Sequence, residues 1–422
     1  MSTAPANGAT LPADSRPLRQ LTLGDATAEQ FHASFGEELR QVLDVTQWGV
    51  GPDLGREFAR IEREIRDAVA RETDYQKQLR DVVFPRLQER PVAPKDAGVH
   101  QATPAELERL QRGLLFTGGV ECCDGTMEVH DTLPLTVYQV GVSLVSYRGD
   151  QGTWSQRLFR RDLRQHCADP VAEVLELLER RARREGQQRH SPEDPLGELV
   201  RKTLLDYAER AVLLRRSQAI WRLGHGNPIT YELLTGAGLL ELMVAGTQLL
   251  RELIQGHRKF VYVASEPRDR VLLTIGQALR PLEFAIVETL ADSLHRWFSQ
   301  ERFKVGVRTT LDWDGAALTP ADWIPRFIDE VASQVVVGLY RASAYATAQL
   351  FYAHADHALV AGRLVLADGM LQEHRGFPLL LDLADHVCRS MFRGTLHGLS
   401  ESAYAAAGVP WRYFSERSTR SR

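Results

Sequence analysis

Between about Ala28 and Glu89 apolar residues return every three or four positions. Leu54, Phe58, Ile61, Ile65, Ala68, Tyr75 and Leu79 form one stripe, with Arg and Glu between them. That spacing predicts a long amphipathic helix, which either packs on its own domain or pairs with another subunit. The Pro-rich stretch Arg90–Pro104, "RPVAPKDAGVHQATP", reads as a linker. Over 114–147 the pattern changes to three strands: Leu114–Cys123 is mainly apolar, and "TVYQVGVSLVSY" (Thr136–Tyr147) is rich in β-branched and aromatic residues. From Asp162 to Trp221 the helical period returns. Further on, "KFVYVASEP" (Lys259–Pro267), "SQVVVGLYRA" (Ser333–Ala342) and "GRLVLADG" (Gly362–Gly369) read as strands. "LLTIGQALRPLEFAIVETLADSLHRWF" reads as helix, and "GFPLLLDLADHVCRSMF" (Gly376–Phe392) as a turn followed by a helix. Strands alternating with helices after an initial meander predict an α/β fold with a mixed sheet. The expected organisation is a disordered lead (1–20), a helical N-terminal region and linker (21–104), and a main domain (105–422) with a helical insertion around 162–221.

Composition changes this picture little. Of 422 residues 44% are hydrophobic and 25% charged, as in ordinary soluble domains, and the net charge of −4 gives no global attraction to nucleic acid or anionic lipid. A nucleic-acid role therefore needs a local basic surface. Arg180, Arg181, Arg183, Arg184 and Arg189 cluster on one predicted helix, as either a solvated helix end or a phosphate-tracking patch. Cys122, Cys123, Cys167 and Cys388 form no C-x-x-C pair, which argues against a zinc site of usual spacing and fits reduced thiols in a cytoplasmic protein. The N-terminus has no signal-peptide core, and no run approaches the ~20 apolar residues of a membrane span. Neither a phosphate-binding G-x-x-x-x-G-K-[ST] loop nor a G-x-S-x-G nucleophile elbow occurs.

The candidate chemistry begins at Asp124, which follows an apolar run and precedes Gly125 in "VECCDGT". Asp-Gly is a common turn pair, yet an acid at a strand end is also a metal-binding carboxylate in nucleases. Mg²⁺ and Mn²⁺ take carboxylate oxygens, and phosphodiester hydrolysis uses such ions to stabilise the attacking and leaving oxygens. A second cluster, His354, Asp356 and His357, resembles part of the H-x-H-x-D-H motif of metallo-β-lactamase-type hydrolases. Tyr352 stands where that motif has its first His, and a helix would set 354 and 357 on one face.

Four stretches in order resemble the NurA family of nucleases: "VECCDGT", "YELLTGAGLLEL", "VVVGLYRAS" and "HRGFPLLLDLADHVCR". The resemblance runs from about Gly113 to the C-terminus and implies an RNase H-like mixed sheet flanked by helices, with an N-terminal helical extension. It implies a DNA nuclease using Mn²⁺ or Mg²⁺, a ring-like homodimer, and a HerA-type hexameric ATPase partner in break repair or defence. Asp124 would be the first metal ligand, Glu232 the glutamate with Glu241 as its competitor, and Asp385 or His386 the C-terminal site residue, with Asp382 spare. The family's second Asp-Gly is replaced here by Ser265-Glu266, so either Glu266 supplies that carboxylate or a metal site is weakened. The last outcome would leave a scaffold that binds DNA or a motor ATPase without cutting. Arg268 and Arg341 would hold the strand backbone.

Overall fold

A computed structural model describes residues 28–49, 52–131, 136–149, 153–159, 194–264, 269–300, 310–392 and 394–411, together with 171, 172, 174, 175, 178 and 179. The N-terminal lead (1–20), the Arg180–Arg189 cluster, Ser265, Glu266 and Arg268 lie outside these residues.

Two units divide at Thr73/Asp74. The first holds helices Ala28–Phe35 and Leu39–Leu43 and the start of a helix that spans Pro52–Glu89. The apolar stripe does form one long helix, but Leu54, Phe58, Ile61 and Ile65 are exposed along it. The second unit is built on a nine-stranded mixed sheet. Its strands are β1 (Gly98–Gln101), β2 (Val120–Asp131), β3 (Thr136–Val145), β4 (Thr153–Phe159), β5 (Trp221–His225), β6 (Phe260–Ala264), β7 (Glu283–Thr289), β10 (Val335–Arg341) and β11 (Gln349–His354). A separate hairpin pairs β8 (Leu311–Trp313) with β9 (Ala316–Leu318). The sheet order is β1-β7-β10-β11-β6-β5-β2-β3-β4. Strands β2, β5 and β6 run parallel at its centre, and the antiparallel meander β2-β3-β4 forms one end.

The central strand β6, "FVYVA", is apolar throughout because both faces are covered. Phe260 and Tyr262 of β6 face one core, with the Asp194–Arg216 and Leu240–Arg251 helices, while Val261 and Val263 face the other. The second core is closed by helices Ala358–Gly369 and Leu379–Phe392.

Five expectations are corrected here. β2 begins at Val120, after a π-helical turn over Gln111–Leu115, and does not end at Asp124: it pairs with β3 without a break from Cys122↔Val145 to Asp131↔Thr136. The long helix expected after Leu272 is interrupted by β7, whose run "FAIV" lies buried between β1 and β10; Pro281 and Leu282, the latter at φ 64°, turn the chain into it. "GRLVLADG" is helix, not strand: Leu364–Gly369 are buried almost all round, and a helix without a polar face reads like a core strand. The segment around His354 is the strand β11, and the linker contains β1.

Candidate active site

Alternation along β2 sends Cys122 and Asp124 to one face and Cys123 and Gly125 to the other. Cys122 lies in the core beneath the Leu379–Phe392 helix. That helix packs tightly on β3. A Cβ on Gly141 would overlap the Phe392 ring at 2.5 Å, Ser143 Oγ donates to Ala384 O at 3.0 Å, and Cys388 Sγ lies 3.6 Å from Gly141 O. Asp124 is the register partner of Ser143, so it stands directly below this helix. On the helix, positions 382, 385 and 389 share a face, and it is Asp385 that meets Asp124 through a side-chain hydrogen bond. His386, one residue on, is exposed and does not line the cavity described below.

The opposite face supplies a third acid. Gly125 has no side chain, and a Cβ there would stand 2.6 Å from Glu209 Oε1 and 2.8 Å from its Cγ. The missing side chain lets the Glu209 carboxylate come up beside the strand. The Asp124-Gly125 pair therefore sits inside a continuous strand as a point of close approach, not in a turn. Glu209 is held from behind. Its carbonyl accepts from Cys123 Sγ at 3.2 Å, and its neighbour Arg210 donates to the carbonyls of Asp206 (2.8 Å), Asn227 (2.6 Å) and Pro228 (2.8 Å), tying the helix to the loop after β5.

These acids share a cavity of about 840 Å³ with Asp382, His225, His374, Arg375 and Arg389. Arg389 Nε meets Asp385 Oδ1 at 2.8 Å, and Arg375 binds Asp382, which also accepts from Gln372 Nε2 at 2.6 Å. Burial, the hydrogen bond that a protonated Asp124 donates to Asp385, and the negative charge of Asp385 together push the Asp124 carboxyl up to about 7. Burial pushes Glu209 up to about 8 against the pull of Arg210, with the charge of Asp124 adding to the rise; its side chain keeps 19% of its exposure. Burial is the first cause of both shifts, so Asp124 and Glu209 hold protons near neutrality although arginines stand beside the acids of the cavity. Its donors are hard oxygens, which fits a hard divalent ion. Among the described residues, no three His, Cys, Asp or Glu side chains are already closed up around a metal-sized point.

Of the residues picked out in the sequence, Asp124 and Asp385 are brought together, with Asp382 on the same wall. Glu232 is not on that wall. It begins the short Tyr231–Thr235 helix, and Lys202 binds its carboxylate. Glu241 is exposed. Arg341 is not free to hold a phosphate backbone: its guanidinium donates to the carbonyls of Leu279, Ala344 and Ala346 at 3.0–3.1 Å. His354 ends β11, buried, with Nδ1 accepting from Asp356 N at 3.1 Å, and its ring centre lies 6.2 Å from that of His357. Asp356 faces Lys95 and Arg258, each at 3.7 Å.

No family model matches the chain, nor does any curated protein sequence. Among solved structures the fold is similar to NurA nucleases. The Sulfolobus solfataricus NurA nuclease is 12% identical with a TM-score of 0.42, over 86% of this chain and all of that one. A NurA structure with manganese is 10% identical with a TM-score of 0.32, over 82% of this chain and 98% of that one. A NurA bound to dAMP and manganese is 10% identical with a TM-score of 0.33, over 73% and 95%.

Proposed function

We propose that the protein is a divalent-metal-dependent DNA nuclease. The observation that carries this reading is that Asp124 and Asp385 line one cavity, with Glu209 brought beside them through Gly125 and with arginines on the same lining. Asp124, Asp385 and Glu209 would hold Mn²⁺ or Mg²⁺. The bound ion supplies Lewis-acid stabilisation of the phosphodiester oxygens. Arg375 and Arg389, which line the same cavity and pair with Asp382 and Asp385, would hold the phosphate backbone. Arg210 acts through Glu209, by clamping the helix that carries it. In this reading Glu209 takes the part that sequence reasoning gave to Glu232. A homodimer, a HerA-type ATPase partner and a role in break repair or defence follow from the sequence resemblance and belong to the same proposal.

The test is cleavage of linear single- and double-stranded DNA with Mn²⁺, with Mg²⁺ and with EDTA, for the wild type, Asp124→Asn and Glu209→Gln. Metal-dependent cutting that both substitutions abolish is the expected result. Cutting that survives Asp124→Asn would remove this cavity from the reaction.

A further inference from the structure

We infer that Tyr345, paired with His374, is a stacking platform for an unpaired base of the strand being cut, which makes single-stranded DNA or a frayed end the preferred substrate. This inference rests on the nuclease reading and adds to it the form of the DNA. Tyr345 lies on the short loop between β10 and β11 and lines the same cavity as the carboxyls. It is 69% exposed, and its ring centre lies 5.4 Å from that of His374, itself exposed on the same wall.

The main chain that carries this exposed ring is held on both sides. Ser343 Oγ accepts from the N–H groups of Tyr345 and Ala346 at 3.1 Å and donates to Glu373 O at 2.5 Å. Arg341 binds the carbonyls of Ala344 and Ala346 on either side of Tyr345. Gly376, at φ 63°, lets the second loop close on the first, since a Cβ there would stand 2.6 Å from that of Ala346. The two loops are thus bolted together and hold two flat rings at the lip of an acidic, arginine-bearing cavity. Flat rings beside cations that track a backbone are the elements by which proteins hold unpaired nucleotides, because every base has a face to stack. A paired base inside a duplex has no free face to offer.

The experiment uses the full chain in EDTA, so that nothing is cut, with oligothymidylates carrying a single 2-aminopurine at the 5′ end, in the middle or at the 3′ end. Stacking quenches the fluorophore. The wild type and Tyr345→Phe should quench it at one position or more, and Tyr345→Ala should lose that quenching and bind roughly five- to a hundredfold more weakly. Equal quenching and affinity in the wild type and Tyr345→Ala would overturn the inference. A second measurement compares cutting of single-stranded and blunt duplex DNA with Mn²⁺: the single-strand preference of the wild type should shrink in Tyr345→Ala with the thermal midpoint unchanged. A preference that Tyr345→Ala leaves intact would overturn it as well. Quenching without any cutting by the wild type would sink the nuclease reading and leave the stacking platform standing, so the two failures are distinguishable.

Discussion

Replacing Gly125 by Ala puts one methyl group where Glu209 now rests. The new Cβ would lie 2.6 Å from Glu209 Oε1, 2.7 Å from Leu205 Cδ1 and 2.8 Å from Glu209 Cγ, all inside the closest approach that real contacts reach. The atoms that must yield are the far ends of flexible side chains, so the fold can absorb the methyl group, but the carboxylate must move back by most of an ångström to do so. Overpacking of this kind costs about 1 kcal/mol at its mild end. Gly125 is not among the glycines at positive φ, so the loss of chain entropy in the unfolded state returns about half of that or more. Stability should therefore change little, with a thermal midpoint within about 3 °C of the wild type. Activity should fall far more, because misplacing a catalytic group by about an ångström can cost on the order of a hundredfold. The assay is metal-dependent DNA cleavage beside a thermal melt of the same preparation. The shorter side chain in Gly125→Ala/Glu209→Asp should make room for the methyl group and recover part of the loss. Two results would refute the reasoning: full activity in Gly125→Ala, or a loss of activity explained by collapse of the melt.

Two further outcomes follow, one from the cavity and one from Glu232 outside it. Without metal, Asp124 and Glu209 keep protons that the unfolded chain releases within the ordinary carboxylate range, so the folded state binds more protons and stability falls as pH rises from about 4 through 8. Asp124→Asn should flatten that fall and raise the midpoint in EDTA at pH 8; a lower midpoint there would contradict the charge account. Glu232→Gln removes only a pairing with Lys202, which is 59% exposed, and should cost less than about 1 kcal/mol with cleavage close to the wild type. A large loss of cleavage in Glu232→Gln would return that residue to the site.

The parts of the fold that were legible in the sequence are those whose period matches their surroundings. "FVYV" and "VVVGLY" read as strands because they are β-branched or aromatic and covered on both faces. The turn at Gly376 and its helix were legible because Pro378 and the apolar spacing agree. The helix Ala358–Gly369 was not, since burial on nearly all sides erases the polar face that marks a helix. At the site, Asp124 stood out because it follows an apolar run, and Asp385 only through the resemblance of "HRGFPLLLDLADHVCR" to the NurA family. Glu209 was missed. It is one acid among several on a charged helix, and what singles it out is the space above Gly125, which only the packing of that helix on β2 creates. One signal was available: Gly125 read as the second half of a turn pair, when a glycine inside a strand can also mark the close approach of another group. Tyr345 and His374 are separated in the chain by β11 and the Ala358–Gly369 helix and meet only because two loops are joined by Ser343 and Gly376.

The central claim is that Asp124, Asp385 and Glu209 form a divalent-metal site. Calorimetric titration of Mn²⁺ into the metal-free protein near pH 6.5, in two buffers of different ionisation enthalpy, tests it most directly. Binding should release protons, because the carboxyls that hold them must ionise to accept the ion. Asp124→Asn should abolish both the binding and the proton release, and Glu232→Gln should leave them intact. Mn²⁺ binding that is unchanged by Asp124→Asn, or no binding by the wild type, would contradict the account.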